Sequence, residues 1–368
     1  MFHARDLPAK RADWAPIFLS AMGSPDIYGR QLNGMGGGLS SLSKVCVVGP
    51  SPRSDIDVEY TFAQVRIGQP QVDYSGNCGN MTSAIGPFAV DEGTVTDVPD
   101  GLVRLRLLNL NTGKTIVARF EVVSGKSVID RWTEMEGVNG PATKVTLDFL
   151  EPGGSATGAL LPSGLPREDL VLDDGSHVEA SLVDASNPCV FVLAGAVGCT
   201  GSELPDELSA RPELLSRLEQ IRTAASLAMG IATTWETARE NRTTPFIAMV
   251  APPTAFEALD GSNHPASSMS ASIRFLSNGQ PHRAIPGTGA ICAAAAAHIP
   301  GSVVAEAVAE GGLAGWPPNR LRFSHASGCT ETSAVVESTD GNVRVVSASL
   351  FRTTRRLFDG QVYHTVTA

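Results

Sequence analysis

Two short loops of small residues, each lying between strand-like sequence and a short apolar helix, recur in the two halves of this chain. The first is Asn77-Cys-Gly-Asn80, followed by the apolar stretch Ile85-Gly-Pro-Phe-Ala-Val90. The second is Gly287-Thr-Gly289, running into the helix expected over Ala290–His298. At 368 residues the chain exceeds what one hydrophobic core usually serves, so two domains are expected. A duplicated architecture would account for the paired loops. Residue identity between the halves is slight, so composition alone favours two unrelated domains over a duplication.

Charge and hydropathy narrow the class. Hydrophobic residues make up 42% and charged residues 18%, which is too apolar for disorder. The balance of 28 Lys and Arg against 38 Asp and Glu leaves a net charge of -10 and no basic tract, which argues against a nucleic-acid partner. No apolar run approaches the roughly 18–20 residues of a membrane span, so no membrane partner is expected. The first residues, Met1-Phe-His-Ala-Arg-Asp-Leu-Pro8, hold no apolar signal core, and a cytoplasmic location follows as the expectation.

The six cysteines, at 46, 78, 189, 199, 292 and 329, include no CxxC pair. His325 precedes Cys329 by four residues, but no second pair completes a site, so no metal is expected. Most of these thiols read as small buried hydrophobes.

Apolar periodicity predicts a helix over Leu7–Met22 stopped by Gly23, and strands at Lys44–Val48, Asp55–Val65, Val103–Leu110 and Thr115–Val123. Glu151-Pro-Gly-Gly-Ser-Ala-Thr-Gly158 is dense in turn formers and marks the domain crossover. Domains are therefore expected at 1–155 and 156–351, with the segment 352–368 returning to the first. The second half predicts strands at His177–Leu182, Cys189–Leu193, Ser272–Leu276, Asn342–Leu350 and Gln361–Val366. One long helical pattern covers Glu213–Glu240.

A Gly/Asn loop feeding a helix offers unpaired N–H groups that can hold a carboxylate, and a thiolate is favoured in the same place. Cys78 therefore stands apart from the other cysteines, although a cysteine buried in a tight turn would give the same string. Lys44 opens a strongly apolar strand. A lysine head desolvated in a polar cavity is the usual route to a general base, and a strand-end lysine reaching to solvent is the alternative. His282, in Gln280-Pro-His-Arg283, is either a ligand group or a half-exposed structural histidine.

Linked strings carry more than any one alone. Gly34-Met-Gly-Gly-Gly38 with Ser43-Lys-Val45, Gly76-Asn-Cys-Gly-Asn-Met81, Gly86-Pro-Phe-Ala-Val-Asp-Glu-Gly93, Leu147-Asp-Phe-Leu-Glu-Pro152, and His282-Arg-Ala284 with Thr288-Gly-Ala290 occur in order. Together they resemble the 2-methylaconitate isomerase family, which includes methylitaconate and 4-oxalomesaconate isomerases, over nearly the whole chain. The resemblance implies an α/β, diaminopimelate epimerase-like fold: two pseudo-symmetric domains, each a curled sheet around a central helix, with the active site in the cleft between them.

For the site, the resemblance implies Lys44 and Cys78 as catalytic residues, with Asn77, Gly79, Asn80, Ser277, Gly279, His282, Thr288 and Gly289 binding substrate. It implies no cofactor and no metal. The partner is a small unsaturated di- or tricarboxylate, and a homodimer is allowed. In the epimerases a second cysteine precedes the second Gly-Thr-Gly; here that position is Pro286. One thiol cannot run two-base racemisation, whereas a single-face 1,3-proton shift needs one shuttling group. An allylic isomerase is therefore expected, with cis–trans isomerisation of aconitate as a close variant. Family members usually begin with an Arg-Gly-Gly-Thr-Ser segment ahead of the part resembling Phe2–Pro8. The expectation is that the given start is internal to the natural gene; a carboxylate-binding pseudoenzyme is the alternative.

Overall fold

The structure, a computed structural model, describes residues 1–129, 132–311, 313, 315–339 and 342–365. Its contacts divide into two units: Met1–Thr133, Ala142–Thr146 and the described residues from Thr353 onward form the first, and Glu134–Pro141 with Leu147–Arg352 form the second.

The first unit holds β1 (Phe2–His3), α1 (Trp14–Met22), β2 (Lys44–Pro50), β3 (Val58–Val65), β4 (Val72–Asp73), α2 (Gly79–Thr82), α3 (Ile85–Asp91), β5 (Gly101–Asn109), β6 (Thr115–Val123), β7 (Lys126–Ser127) and the start of β8 (Thr143–Leu150). Strand β2 pairs in parallel with β1 and antiparallel with β3, and β3 continues in parallel to β5. Strands β5 and β6 form an antiparallel pair from Gly101↔Val122 to Leu108↔Thr115. In β5 the pattern Val103-Arg-Leu-Arg-Leu107 alternates buried aliphatics with exposed arginines, the period-2 signature of a sheet with one solvated face.

Helix α3 packs against β2, β3, β5, β6 and β7, so strands surround it. It buries Ile85, Gly86, Ala89 and Val90. A Cβ on Gly86 would stand 2.6 Å from Phe120 Cε1, so glycine is what lets that ring close onto the helix. Helix α1 lies outside, where Phe18 and Met22 meet Val45, Val47, Ala63 and Val65.

The second unit holds β9 (Glu168–Val171), β10 (His177–Ala185), β11 (Asn187–Leu193), α4 (Pro205–Ser209), α5 (Pro212–Ala228), α6 (Trp235–Glu240), β12 (Phe246–Ala251), β13 (Phe256–Glu257) and β14 (Asn263–His264). It continues with β15 (Ala271–Ser277), β16 (Gln280–Pro281), α7 (Gly287–Ala296), α8 (Val303–Ala309), β17 (Arg320–His325), β18 (Gly328–Thr339) and β19 (Asn342–Thr354). The ladder runs β9, β10, β11, β12, β15, β17, β18, β19, with β11–β12 and β15–β17 parallel and the other pairs antiparallel.

Helix α7 is buried along its whole length and packs against β10, β11 and β18. Gly289 repeats the device of Gly86: a Cβ there would stand 2.9 Å from the Phe275 ring. Both units thus wrap strands around a short apolar helix. Outside, α5 sets Leu214, Leu218, Ile221 and Ala225 against Leu182, Val192 and Met249.

Three expected elements differ. The helix expected over Leu7–Met22 begins at Trp14, because Pro16 has no N–H to give the carbonyl four residues back and its ring crowds that carbonyl. The pattern over Glu213–Glu240 is two helices. Gly230 adopts a left-handed φ of 69°, and Thr234 restarts the chain by accepting the Thr237 N–H at 3.2 Å. The strand expected at Gln361–Val366 is absent over residues 361–365, and Val366 lies outside the described residues. Tyr363 there is exposed, and the Thr365 N–H goes to the Ser20 hydroxyl, a side chain rather than a strand edge.

Among the described residues no helix is long and apolar enough to cross a membrane.

Candidate active site

Lys44 occupies the first position of β2, half-buried, and the five residues after it are fully buried. Its register partner on β3 is Gln64. From there its Nζ lies 3.5 Å from the Sγ of Cys78, in the loop just before α2. All six cysteines are free thiols, and Cys78 alone among them is not fully buried. Burial pushes the Cys46 thiol up to about 12, with the neighbouring Cys78 adding to the effect. Burial likewise raises Cys189 and Cys199, so these sulfurs are held as neutral thiols.

The loop carrying Cys78 is held from below by a buried polar network. Asn77 Oδ1 accepts from the Cys78 N–H at 2.7 Å, the Tyr60 hydroxyl at 3.3 Å and the Thr82 hydroxyl at 3.4 Å. Thr82 Oγ1 also donates to the Cys78 carbonyl at 3.0 Å, and Asn109 Nδ2 donates to Tyr60 Oη at 3.0 Å. Burial holds the Tyr60 phenol well above its ordinary value, so it stays protonated and able to donate. The Cys78 N–H is spent on Asn77 and is not open to an anion, because an Asn side chain reaches its neighbour's N–H more cheaply than a ligand does. With its oxygen engaged, Asn77 keeps its NH2 as the remaining donor.

Of the other expected site residues in the first unit, Gly79 is buried as the first residue of α2, and Asn80 is exposed beside it. In the second unit, Ser277 and His282 meet across the β15–β16 hairpin, with Ser277 Oγ 2.6 Å from His282 Nε2. Asn278 and Gly279 form the two-residue turn, with φ of 51° and 72°, the Asn-Gly chemistry of a tight hairpin. Gly279 therefore has a turn to make whether or not it meets a ligand. Thr288 and Gly289 head α7 and are buried, and Gly289 is required by Phe275.

Tyr60, Thr82 and Asn109 escaped the sequence reading. A signal existed for Tyr60. It falls on the core face of β3 with Val58 and Phe62, and a phenol placed there needs a polar partner. His325, set beside Cys329 by spacing, instead places Nε2 3.1 Å from Thr330 Oγ1 and accepts the Ser327 N–H at Nδ1.

Strands wrapped around a central helix in each unit place the chain in the α/β, diaminopimelate epimerase-like fold class. A family model described as "PrpF protein" matches residues 1–365, and the chain belongs to that family. It is 36% identical to the 3-methylitaconate isomerase of Eubacterium barkeri, over 97% of this chain and 92% of the relative. It is 35% identical to the 2-methyl-aconitate isomerase of Cupriavidus necator, over 98% of this chain and 92% of the relative. Among solved structures, a methylitaconate-delta-isomerase superposes with a TM-score of 0.80 at 34% identity, covering 97% of this chain and 90% of that one. The chain is an isomerase of this family.

Proposed function

We propose that this protein moves a carbon–carbon double bond in a small unsaturated di- or tricarboxylate of the methylaconitate or methylitaconate type by an allylic 1,3-proton shift. The observation that carries the reading is the 3.5 Å contact between Lys44 Nζ and Cys78 Sγ. The names of the relatives supply the substrate class.

The chemistry balances without an external reactant. Lys44, as the amine, takes an allylic proton. The C–H electron pair becomes the new double bond, and the old double-bond pair moves onto the conjugated carboxylate as a dienolate. Lys44, now the ammonium, returns a proton to the distal carbon on the same face; the enolate pair forms that new C–H bond, the carboxylate is regenerated, and the transposed alkene remains. The carboxylate is the electron sink, so the shift calls for no cofactor. Cys78 hydrogen-bonds to the lysine or serves as a second acid, and the NH2 of Asn77 is suited to a substrate carboxylate.

The test is NMR in D2O against a panel of unsaturated di- and tricarboxylates, with wild type and Lys44→Met. Deuterium entering the isomerised product, and its loss in the variant, is the expected result. Near-wild-type turnover by Lys44→Met would eliminate the lysine from the reaction.

A further inference from the structure

Three electron-pair donors from distant parts of the chain converge in the second unit. They are the Glu136 carboxylate, His264 on β14 and the Cys329 thiol at the start of β18, with ligand atoms all within 4.8 Å of one another. We propose that they form a zinc site with three protein ligands and a fourth position for water.

The surroundings of His264 support this independently of the cluster. The Ser262 hydroxyl donates to Asp260 Oδ1 at 2.6 Å, so its oxygen is left to accept from His264 Nε2, 3.0 Å away. In the metal-bound ring that relay would put the proton on Nε2 and turn Nδ1 to the ion. It is the outer-shell arrangement that fixes a metal-binding histidine. Phe256, stacked on the ring with centroids 4.9 Å apart, holds the imidazole plane.

Nδ1 faces Glu136 Oε2 at 3.9 Å, too far apart for a direct hydrogen bond. A cation seated between them would take both atoms as ligands. Tetrahedral zinc, with bonds of about 2.0–2.1 Å to N and O, sets such ligand atoms about 3.4 Å apart, a small contraction from what is present.

Glu136 is oriented for the task. Arg322 binds Oε1, and the Cys329 N–H donates to Oε2. Gly328 makes room for the carboxylate, since a Cβ there would stand 2.4 Å from Oε2. Thiolate and carboxylate together neutralise a dication. The S, N, O set suits zinc over magnesium or calcium, which take oxygen alone. The site would pin Glu134–Pro141 to the β17–β18 turn and the β13–β14 hairpin.

The test loads metal-free full-length protein with Zn(II) or Co(II) and removes excess ion by gel filtration. One equivalent of zinc should remain, and the cobalt form should show a sulfur-to-cobalt charge-transfer band. Cys329→Ser should abolish that band and His264→Ala should release the metal, while Cys78→Ser keeps both. Ser262→Ala should weaken zinc binding by about tenfold and retain the band. Absence of the band from wild type would overturn the site whether or not any variant folds. So would a band and stoichiometry that persist in Cys329→Ser.

Discussion

Lys44 Nζ and Cys78 Sγ lie 3.5 Å apart, the lysine at the open end of a buried strand and the cysteine at the tip of a loop held by Asn77. Removing the amine while keeping the chain's apolar length separates chemistry from packing. Lys44→Met should lower kcat by about 10²–10⁴ and leave thermal stability near wild type, measured by NMR turnover and by melting. Cys78→Ser, which keeps a hydrogen-bonding group but a far less acidic one, should lose less than Cys78→Ala.

Thiol labelling separates Cys78 from its neighbour. A thiol pushed up to about 12, as Cys46 is by burial, is thiolate to only about one part in ten thousand at pH 8. Brief treatment of native protein with iodoacetamide at that pH should label Cys78 and spare Cys46, read by peptide mass spectrometry. Equal labelling of the two would contradict the buried environment of Cys46.

Tyr60→Phe removes a buried hydroxyl that receives Asn109 Nδ2 and reaches Asn77 Oδ1. Leaving the Asn109 NH2 without that acceptor should cost about 1–3 kcal/mol in urea unfolding. If the network also positions the Asn77 NH2, KM for the carboxylate substrate should rise more than kcat falls. An unchanged KM would confine the network to stability.

The paired glycines of the two central helices make a packing prediction. Gly86→Ala and Gly289→Ala each place a methyl group within 3 Å of a buried ring, Phe120 or Phe275. Each should destabilise by about 1–2 kcal/mol, overpacking outweighing the better helix propensity of alanine. Phe120→Leu should recover much of the loss in the Gly86→Ala background but not in Gly289→Ala. Additive losses in Gly86→Ala/Phe120→Leu would show that the ring is not the obstacle.

At the end of α3, the Arg356 guanidinium holds the Glu92 carboxyl below its usual value, with His3 contributing further. A depressed folded pKa means that the stabilisation is complete above the ordinary glutamate value near 4.5 and is lost as pH falls through the lowered folded value. Being partly exposed, the pair is worth about 0.5 kcal/mol. Arg356→Gln should therefore lower stability at pH 7, and its difference from wild type should close toward pH 3 in urea titrations. A difference independent of pH would assign the effect to packing.

Much of the local structure was legible in the chain. Thr115–Val123 is a strand over the span its alternation indicates, and Gly23 ends α1 with the left-handed φ of 72° that its position suggests. Lys44 ahead of an apolar strand, and Cys78 between Asn and Gly, could be singled out because both signals are carried by adjacent residues. Where the reading went astray, the deciding contact was small or distant. Two residues, Gly230 and Thr234, split α5 from α6, and a missing partner edge left 361–365 without a strand.

The sequence by itself determined the apolar helix at the heart of each unit, the strand beginning at Lys44 and the isolation of Cys78 among six thiols. These rest on periodicity and on neighbours a few residues away. Only the tertiary structure decided what those residues face. It spent the Cys78 N–H on Asn77, gave Gly279 a turn and Gly289 a ring to accommodate, and brought Glu136, His264 and Cys329 together from separate segments. Such meetings depend on the register of strands far apart in the chain, and no local pattern of residue types encodes that register.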